Sequence, residues 1–474
     1  MSNINKKFSN VDEWLSVSYG KAERFQKAKK VPFDPSQPYD KKGPVSIQMA
    51  DASWVKSDRG FSEDCLNLNI WAPVGRKEPL PVVVYIHGGG WTYGGNTDDT
   101  SDMSGLVSSG KVIGVSINYR LGALGWLSLS QYGGALKDAT NLGMTDIVIA
   151  LEWIHENIDK FGGDSNQVTL TGHSAGAYNS LALLAVPETK GLFQRIAAFS
   201  GFVSRYIPRW WAEEFAHKTL KKLNIENPED LLTIDAKLLE KTVEGLLPGD
   251  PILKHGIDNI NIGMVDDHEL ENGVFSVNPQ EVIDSGERKD VDILISSTTG
   301  EVDWYVLNMR KRFDPGSTEA IVDEMVENSH VARSQAEKIL AFHNKESLEP
   351  VEIRGSLYTS FNFTLPATRA TLAHAKAGGR AYQLNIGPAE GAPAVHGTEM
   401  YGIVGQVKPN ASQEQIERDR FVTETVLNMA TGNYENLWTP VSDKIEIKDI
   451  GQRPYVSNTY AKKILELFDG VDRT

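Results

Sequence analysis

Residues 168–177 read V-T-L-T-G-H-S-A-G-A, a β-branched run that closes on Gly172-His173-Ser174-Ala175-Gly176. The chain from Tyr178, Y-N-S-L-A-L-L-A, suits a helix. Strand, sharp turn and helix in that order make a nucleophile elbow, with Ser174 at the tip. Such a turn holds its central residue in a strained backbone that projects the hydroxyl clear of the sheet. Strand and helix then pass so close that side chains at the flanking positions would collide, which accounts for Gly172 and Gly176. A serine hydroxyl is a poor nucleophile at neutral pH, so it needs a base, a group that orients the base, and donors for the developing oxyanion.

Upstream, P-V-V-V-Y-I-H at Pro81–His87 leads into His87-Gly88-Gly89-Gly90. A glycine-rich loop after an apolar strand can turn its N–H groups toward a reacting carbonyl, which nominates Gly88 and Gly89 together with the N–H of Ala175. The base is expected downstream, in the order serine, acid, histidine. His217, His255, His268, His330, His343 and His374 stand in charged or helical surroundings and read as surface residues. His396 differs, because it lies in the Gly-rich stretch G-A-P-A-V-H-G-T-E after a predicted strand at Arg380–Ile386. For the acid, S-S-T-T-G-E-V-D-W-Y offers Glu301 and Asp303 after a predicted strand at Val291–Thr298. Chemistry alone leaves both open. His173 is expected to point away from Ser174 and to stand behind the site.

The rest of the chain supplies a frame for these parts. Short β-rich runs bounded by Gly and Pro occur at Leu66–Trp71, Lys111–Tyr119, Gln167–Thr171 and Ile196–Ser200. The run at Val82–Ile86 is apolar throughout, as a strand covered on both faces must be. The fold class is therefore α/β, a mostly parallel central sheet with helices on both faces. Ile147, Leu151, Ile154 and Ile158 mark one face of a helix over Leu142–Phe161, and the tail from Glu417 is helical at both ends. Residues 1–62, with Pro32, Pro35, Pro38 and Pro44, read as a loop-dominated lead-in. The charged, helical stretches at about 201–290 and 306–379 read as insertions at the carboxyl ends of strands, where open α/β sheets bind ligands. Within them Phe202, Tyr206, Trp210, Trp211, Trp304 and Tyr305 are candidates for an apolar pocket. With no repeat or linker to split it, residues 1–474 are expected to form one domain.

Composition narrows the function. A net charge of −15 repels phosphate backbones and anionic membrane surfaces, so neither nucleic acid nor a membrane is an expected partner. The single cysteine, Cys65, has no intrachain partner, which favours a reducing compartment. The opening residues lack the apolar core of a signal peptide, and a cytoplasmic location is the expectation. Asn362-Phe363-Thr364 and Asn410-Ala411-Ser412 match the glycosylation pattern but read as coincidence in such a chain.

Six motifs taken together resemble the type-B carboxylesterases, the family of cholinesterases, liver carboxylesterases and bacterial para-nitrobenzyl esterases. They are S-E-D-C-L-N-L-N-I-W-A-P from Ser62, H-G-G-G-W from His87, N-Y-R-L-G from Asn118, F-G-G-D from Phe161, G-H-S-A-G-A from Gly172 and H-G-T-E from His396. The resemblance implies the α/β-hydrolase fold and a small-molecule ester as substrate, with no metal or organic cofactor required. It implies Ser174 as nucleophile, His396 as base, and Glu301 rather than Asp303 as acid. Gly88, Gly89 and Ala175 would form the oxyanion hole, and Ser200 would support the network from behind. The chain departs from the family at His173, where a glutamate is usual, at Cys65, whose counterpart is paired in secreted relatives, and before Val17, where the family's N-terminal hairpin is expected to be missing. Two other readings follow from the same resemblance. One is a hydrolase of this fold acting on amides or carbamates, or in acyl transfer. The other is a binding homologue of the kind that has lost serine or histidine, and this chain keeps both.

Overall fold

The computed structural model describes residues 8–49, 55, 59–203, 206–247, 262–452 and 457–471. His255 and part of the first insertion lie outside them.

The frame is a nine-stranded sheet. Its strands are β1 (Val11–Ser18), β2 (Asn67–Pro73), β3 (Leu80–Ile86), β4 (Ile113–Ile117), β5 (Gly163–His173), β6 (Arg195–Phe199), β7 (Asp292–Thr298), β8 (Ala381–Ile386) and β9 (Ile447–Ile450). They lie in the order β1-β2-β4-β3-β5-β6-β7-β8-β9. β1 and β2 run antiparallel, as do β2 and β4, and every pair from β4 to β9 is parallel. The mostly parallel sheet expected from the apolar runs is therefore present.

Because side chains alternate along a strand, one strand feeds two cores. Val82, Val84 and Ile86 of β3 enter a large apolar cluster on one face with Leu151, Ile154 and Leu170. Val83 and Tyr85 enter a second cluster on the other face, with Phe199 of β6, Leu384 of β8, and Val422 and Val426 of the helix Gln413–Thr431. The predicted helix runs over Leu142–Asn157 and tightens into a 3-10 turn at Ile158–Phe161, with its four marker residues buried.

The lead-in is loop-dominated, with Pro32, Pro35, Pro38 and Pro44 all outside strands, but it also supplies an edge strand of the sheet. β1 includes Val17, and a short antiparallel pair, Gly20–Lys21 with Lys29–Lys30, follows it. β1 and β9 are the two edges of the sheet, and their half-exposed patterns hide them from a reading by periodicity. The long intervals are largely helical, with helices at Arg209–Leu223, Ala236–Leu246, Thr318–Ser329 and Arg333–His343. Pro350–Thr359 and Leu365–Lys376 are joined without a break by a π-helical turn at Ser360–Thr364.

This topology places the site. β5, β6, β7 and β8 are parallel neighbours, so their carboxyl ends share one edge of the sheet. Ser174 follows β5, Ser200 follows β6, and Glu301 and His396 lie in the loops after β7 and β8.

Candidate active site

Ser174 sits at φ 54° and ψ −125°, a conformation rare for a residue with a side chain, between β5 and the helix Ala175–Ala182. The close approach behind it involves a third element. A Cβ on Gly176 would lie 1.9 Å from the carbonyl oxygen of Ile86 at the end of β3, and one on Gly172 would lie 2.6 Å from the same atom. The two glycines thus let the elbow close over β3 as well as over itself.

The loop after β3 lies directly against the elbow. A Cβ on Gly88 would stand 2.5 Å from the carbonyl oxygen of His173 and 3.2 Å from Ser174 Cβ. Gly89 has φ 111°, and a Cβ there would meet the Tyr93 carbonyl at 2.1 Å, so the tight turn requires glycine at both positions. His87 is stacked on Tyr119 at 4.5 Å between ring centroids, and the Tyr119 hydroxyl donates to the His87 carbonyl at 2.8 Å. Burial pushes the His87 imidazole down to about 4, so it is a neutral pillar under the loop.

His396 Nε2 is 2.9 Å from Ser174 Oγ, and its Nδ1 is 2.6 Å from Glu301 Oε2. The loops that carry the pair are stitched together, for Gly300 N–H donates to the Ala394 carbonyl at 3.0 Å and His396 N–H to the Glu301 carbonyl at 3.3 Å. Glu301 is buried, and its Oε1 accepts from Thr298 N–H and from the Ser200 hydroxyl, each at 2.7 Å. The rival carboxylate looks elsewhere. Asp303 opens the helix Asp303–Asn308, with its oxygens against the Cα atoms of Gly300 and Gly355, and burial raises it to about 6.

One expectation about histidines is corrected and another is filled in. His173 stands behind the site, buried, with its ring centroid 4.5 Å from that of His396. Burial first, and then the neighbouring His396, push its imidazole well below the ordinary value. His343 and His374 are not surface residues. Both are buried, the first bonded through Nδ1 to Ser356 Oγ at 3.0 Å and pushed down to about 3, because each falls on the inner face of an amphipathic helix.

The carboxylesterase family profile matches residues 2–433. The chain belongs to that family. Para-nitrobenzyl esterase of Bacillus subtilis (strain 168) is 33% identical over 303 residues, which take in 62% of this chain and 60% of the relative. Liver carboxylesterase 1F of Rattus norvegicus is 27% identical over 431 residues, covering 82% of this chain and 74% of the relative. Among solved structures, a PNB esterase superposes with a TM-score of 0.79 over 98% of this chain and 97% of its own, at 26% identity. A carboxylesterase of Geobacillus stearothermophilus gives 0.79 over 92% of each chain at 25% identity.

Two residues of this carboxylesterase chain next to the site carry no role that the sequence assigns, although Glu399 closes the H-G-T-E motif. Glu399, three positions after His396, is fully buried with Oε1 2.5 Å from Ser200 Oγ and 3.9 Å from His173 Nε2. Burial, and after it the charge of Glu301, push its carboxyl well above the ordinary range. Phe363 is set by the π-helical turn so that its ring lies 5.5 Å from that of His396. Phe202 packs edge-on against Phe363 at 5.9 Å and against Tyr178 at the same distance. Of the six aromatics nominated for a pocket, Phe202 is the one these contacts join to the site. Trp210 and Trp304 are 62% and 43% exposed, paired with Trp211 and Tyr305 respectively.

Among the described residues, no cluster of His, Cys, Asp and Glu is arranged to hold a metal ion, and no helix is long and apolar enough to cross a membrane.

Proposed function

We propose that this chain hydrolyses carboxylic esters through an acyl-enzyme formed on Ser174. His396 takes the serine proton as the hydroxyl attacks the ester carbonyl, and then gives it to the departing alcohol. Glu301 holds Nδ1–H of the imidazole, which keeps Nε2 free to accept and stabilises the imidazolium as it forms. Water then attacks the acyl-enzyme with His396 again as base.

What carries this reading is the unbroken chain Ser174 Oγ to His396 Nε2 at 2.9 Å and His396 Nδ1 to Glu301 Oε2 at 2.6 Å, set on a strained elbow. The oxyanion hole is assigned to the N–H groups of Gly88, Gly89 and Ala175. Gly88 and Ala175 border Ser174, Gly89 continues the same turn, and the three N–H groups have no acceptor among the described residues, although buried amides are nearly always paired. An incoming carbonyl oxygen would supply the missing acceptor. Family membership supports ester hydrolysis, and the relatives named above are a para-nitrobenzyl esterase and a liver carboxylesterase.

The test is a panel of p-nitrophenyl esters of rising acyl length, run with and without a fluorophosphonate. Hydrolysis should be abolished by the phosphonate and in Ser174→Ala, with the label mapping to the peptide that holds Ser174. A label on another serine would remove the assignment.

A further inference from the structure

Behind the triad, Ser200 Oγ is 2.7 Å from Glu301 Oε1 and 2.5 Å from Glu399 Oε1. A hydroxyl has one proton to give. Were both carboxyls ionised, one of these two close oxygen contacts would hold no proton and would be repulsive. One of the pair is therefore an acid. Glu301 accepts from Thr298 N–H, from Ser200 and from the His396 imidazole, and three donors favour its charged form. Glu399 has only the Ser200 hydroxyl and its own backbone N–H, and its Oε2 finds no hydrogen-bond partner among the described residues. The proton belongs on Glu399, and the hydrogen bonds run from Glu399 O–H to Ser200 Oγ and from Ser200 O–H to Glu301.

His173 completes the arrangement. Its Nε2 is buried, unbonded among the described residues, and 3.9 Å from Glu399 Oε1, while its ring lies against His396. The other groups facing Glu399 are Glu301 and His396 from the loops after β7 and β8, Ser200 after β6, and the buried phenol of Tyr85 on β3. We propose that His173 and Glu399 form a pair of zero net charge, a neutral imidazole beside a protonated carboxyl, so that Glu301 is the one negative charge His396 meets. A glutamate at position 173 would place a further carboxylate in the same buried space.

His173 and Glu399 are thus positioning residues that set the charge around the base and touch no substrate. Less negative charge near an imidazole weakens its hold on a proton. His396 consequently stays a free base, and the enzyme stays active, further into acid than it would with a carboxylate at position 173. The inward-facing direction of both groups agrees with this, since burial favours the uncharged form of each. The inference rests on the Ser174–His396–Glu301 reading.

Two measurements test it. The infrared difference spectrum of wild type minus Glu399→Gln, taken on the acid side of neutrality, should show a carboxylic acid C=O band. Other buried carboxyls cancel in that difference. A difference spectrum showing carboxylate bands alone would overturn the proposal. The second measurement is the pH profile of kcat/KM for wild type and His173→Glu at fixed ionic strength, with folding checked by circular dichroism. The acidic limb should move up by about half a unit to one unit, a loss of about three- to tenfold on that limb. An unmoved limb in a folded variant would overturn it too, and if that variant does not fold the infrared result decides. The infrared band is read without turnover, so its failure would leave the triad standing, while a phosphonate label away from Ser174 would fail the triad.

Discussion

His396 is held to Glu301 at two points, through Nδ1 to Oε2 at 2.6 Å and through its own backbone N–H to the Glu301 carbonyl at 3.3 Å. The backbone bond does not depend on the side chain, so Glu301→Gln should leave the loop in place and change only what faces the imidazole. An amide there no longer enforces the Nδ1–H tautomer or stabilises the imidazolium, and kcat should fall by roughly two to four orders of magnitude. Asp303→Asn should stay within about threefold, because its carboxyl packs on Gly300 and Gly355 and acts on no reacting group. Steady-state kinetics on the two variants checks this, and the reverse ranking would hand the role to Asp303.

The parts of this site that sequence discloses are those where chemistry or close packing leaves few choices of residue. Gly172, Gly176, Gly88 and Gly89 are forced by contacts that no side chain could occupy, so they stand out as motifs around Ser174. β3 and β5 through β8 are covered on both faces, and buried strands announce themselves as apolar runs. β1 and β9 are half-exposed edges with mixed residues, and they pass for loop. His374 was legible as helical but not as buried, since a histidine on the apolar face of a helix looks in sequence like one on the polar face. Glu399 is visible as the last residue of the H-G-T-E motif, but the motif alone gives it no role. Its meaning comes from Ser200 and His173, which other strands deliver, and nothing in its own neighbours reveals them. Phe363 depends on a one-residue change of helical phase at the π-turn, which no regular periodicity encodes.

The elbow stores strain that a substitution can release. Ser174 has φ 54° and ψ −125°, and a residue with a Cβ held there costs about 1–3 kcal/mol. Ser174→Ala keeps the Cβ and the strain, whereas Ser174→Gly removes both at the expense of a more flexible unfolded chain, about 0.5–1 kcal/mol. Both variants lose the hydroxyl and the bond to His396 alike. The glycine variant should therefore be the more stable of the two by about 1 kcal/mol, although neither hydrolyses esters. Urea unfolding followed by fluorescence gives the comparison as a difference in midpoint at equal slope. An alanine variant as stable as the glycine one would mean that the elbow is relaxed.

Glu240, on the helix Ala236–Leu246 of the first insertion, is buried against the start of the short helix Gly122–Trp126 and accepts from Ala123 N–H at 3.0 Å and Leu124 N–H at 3.2 Å. The fit is close enough that a Cβ on Gly122 would come within 1.9 Å of its Oε2. Burial raises this carboxyl from 4.5 to about 8, outweighing the two N–H donors that favour its charge. In the unfolded chain Glu240 ionises at the ordinary value, so between about 4.5 and about 8 the folded state holds a proton that the unfolded state has released. Its contribution to stability is complete below that window and is lost progressively as pH rises through it. Glu240→Gln keeps a carbonyl to accept the two N–H bonds and cannot ionise. The melting temperature of wild type should therefore fall relative to the variant as pH is raised through the window, with the steady loss ending above about 8. Every other titrating group is common to both proteins and cancels in the difference. A difference that stays flat with pH would show that Glu240 is already charged in the folded protein, with the N-terminus of the Gly122–Trp126 helix holding that charge.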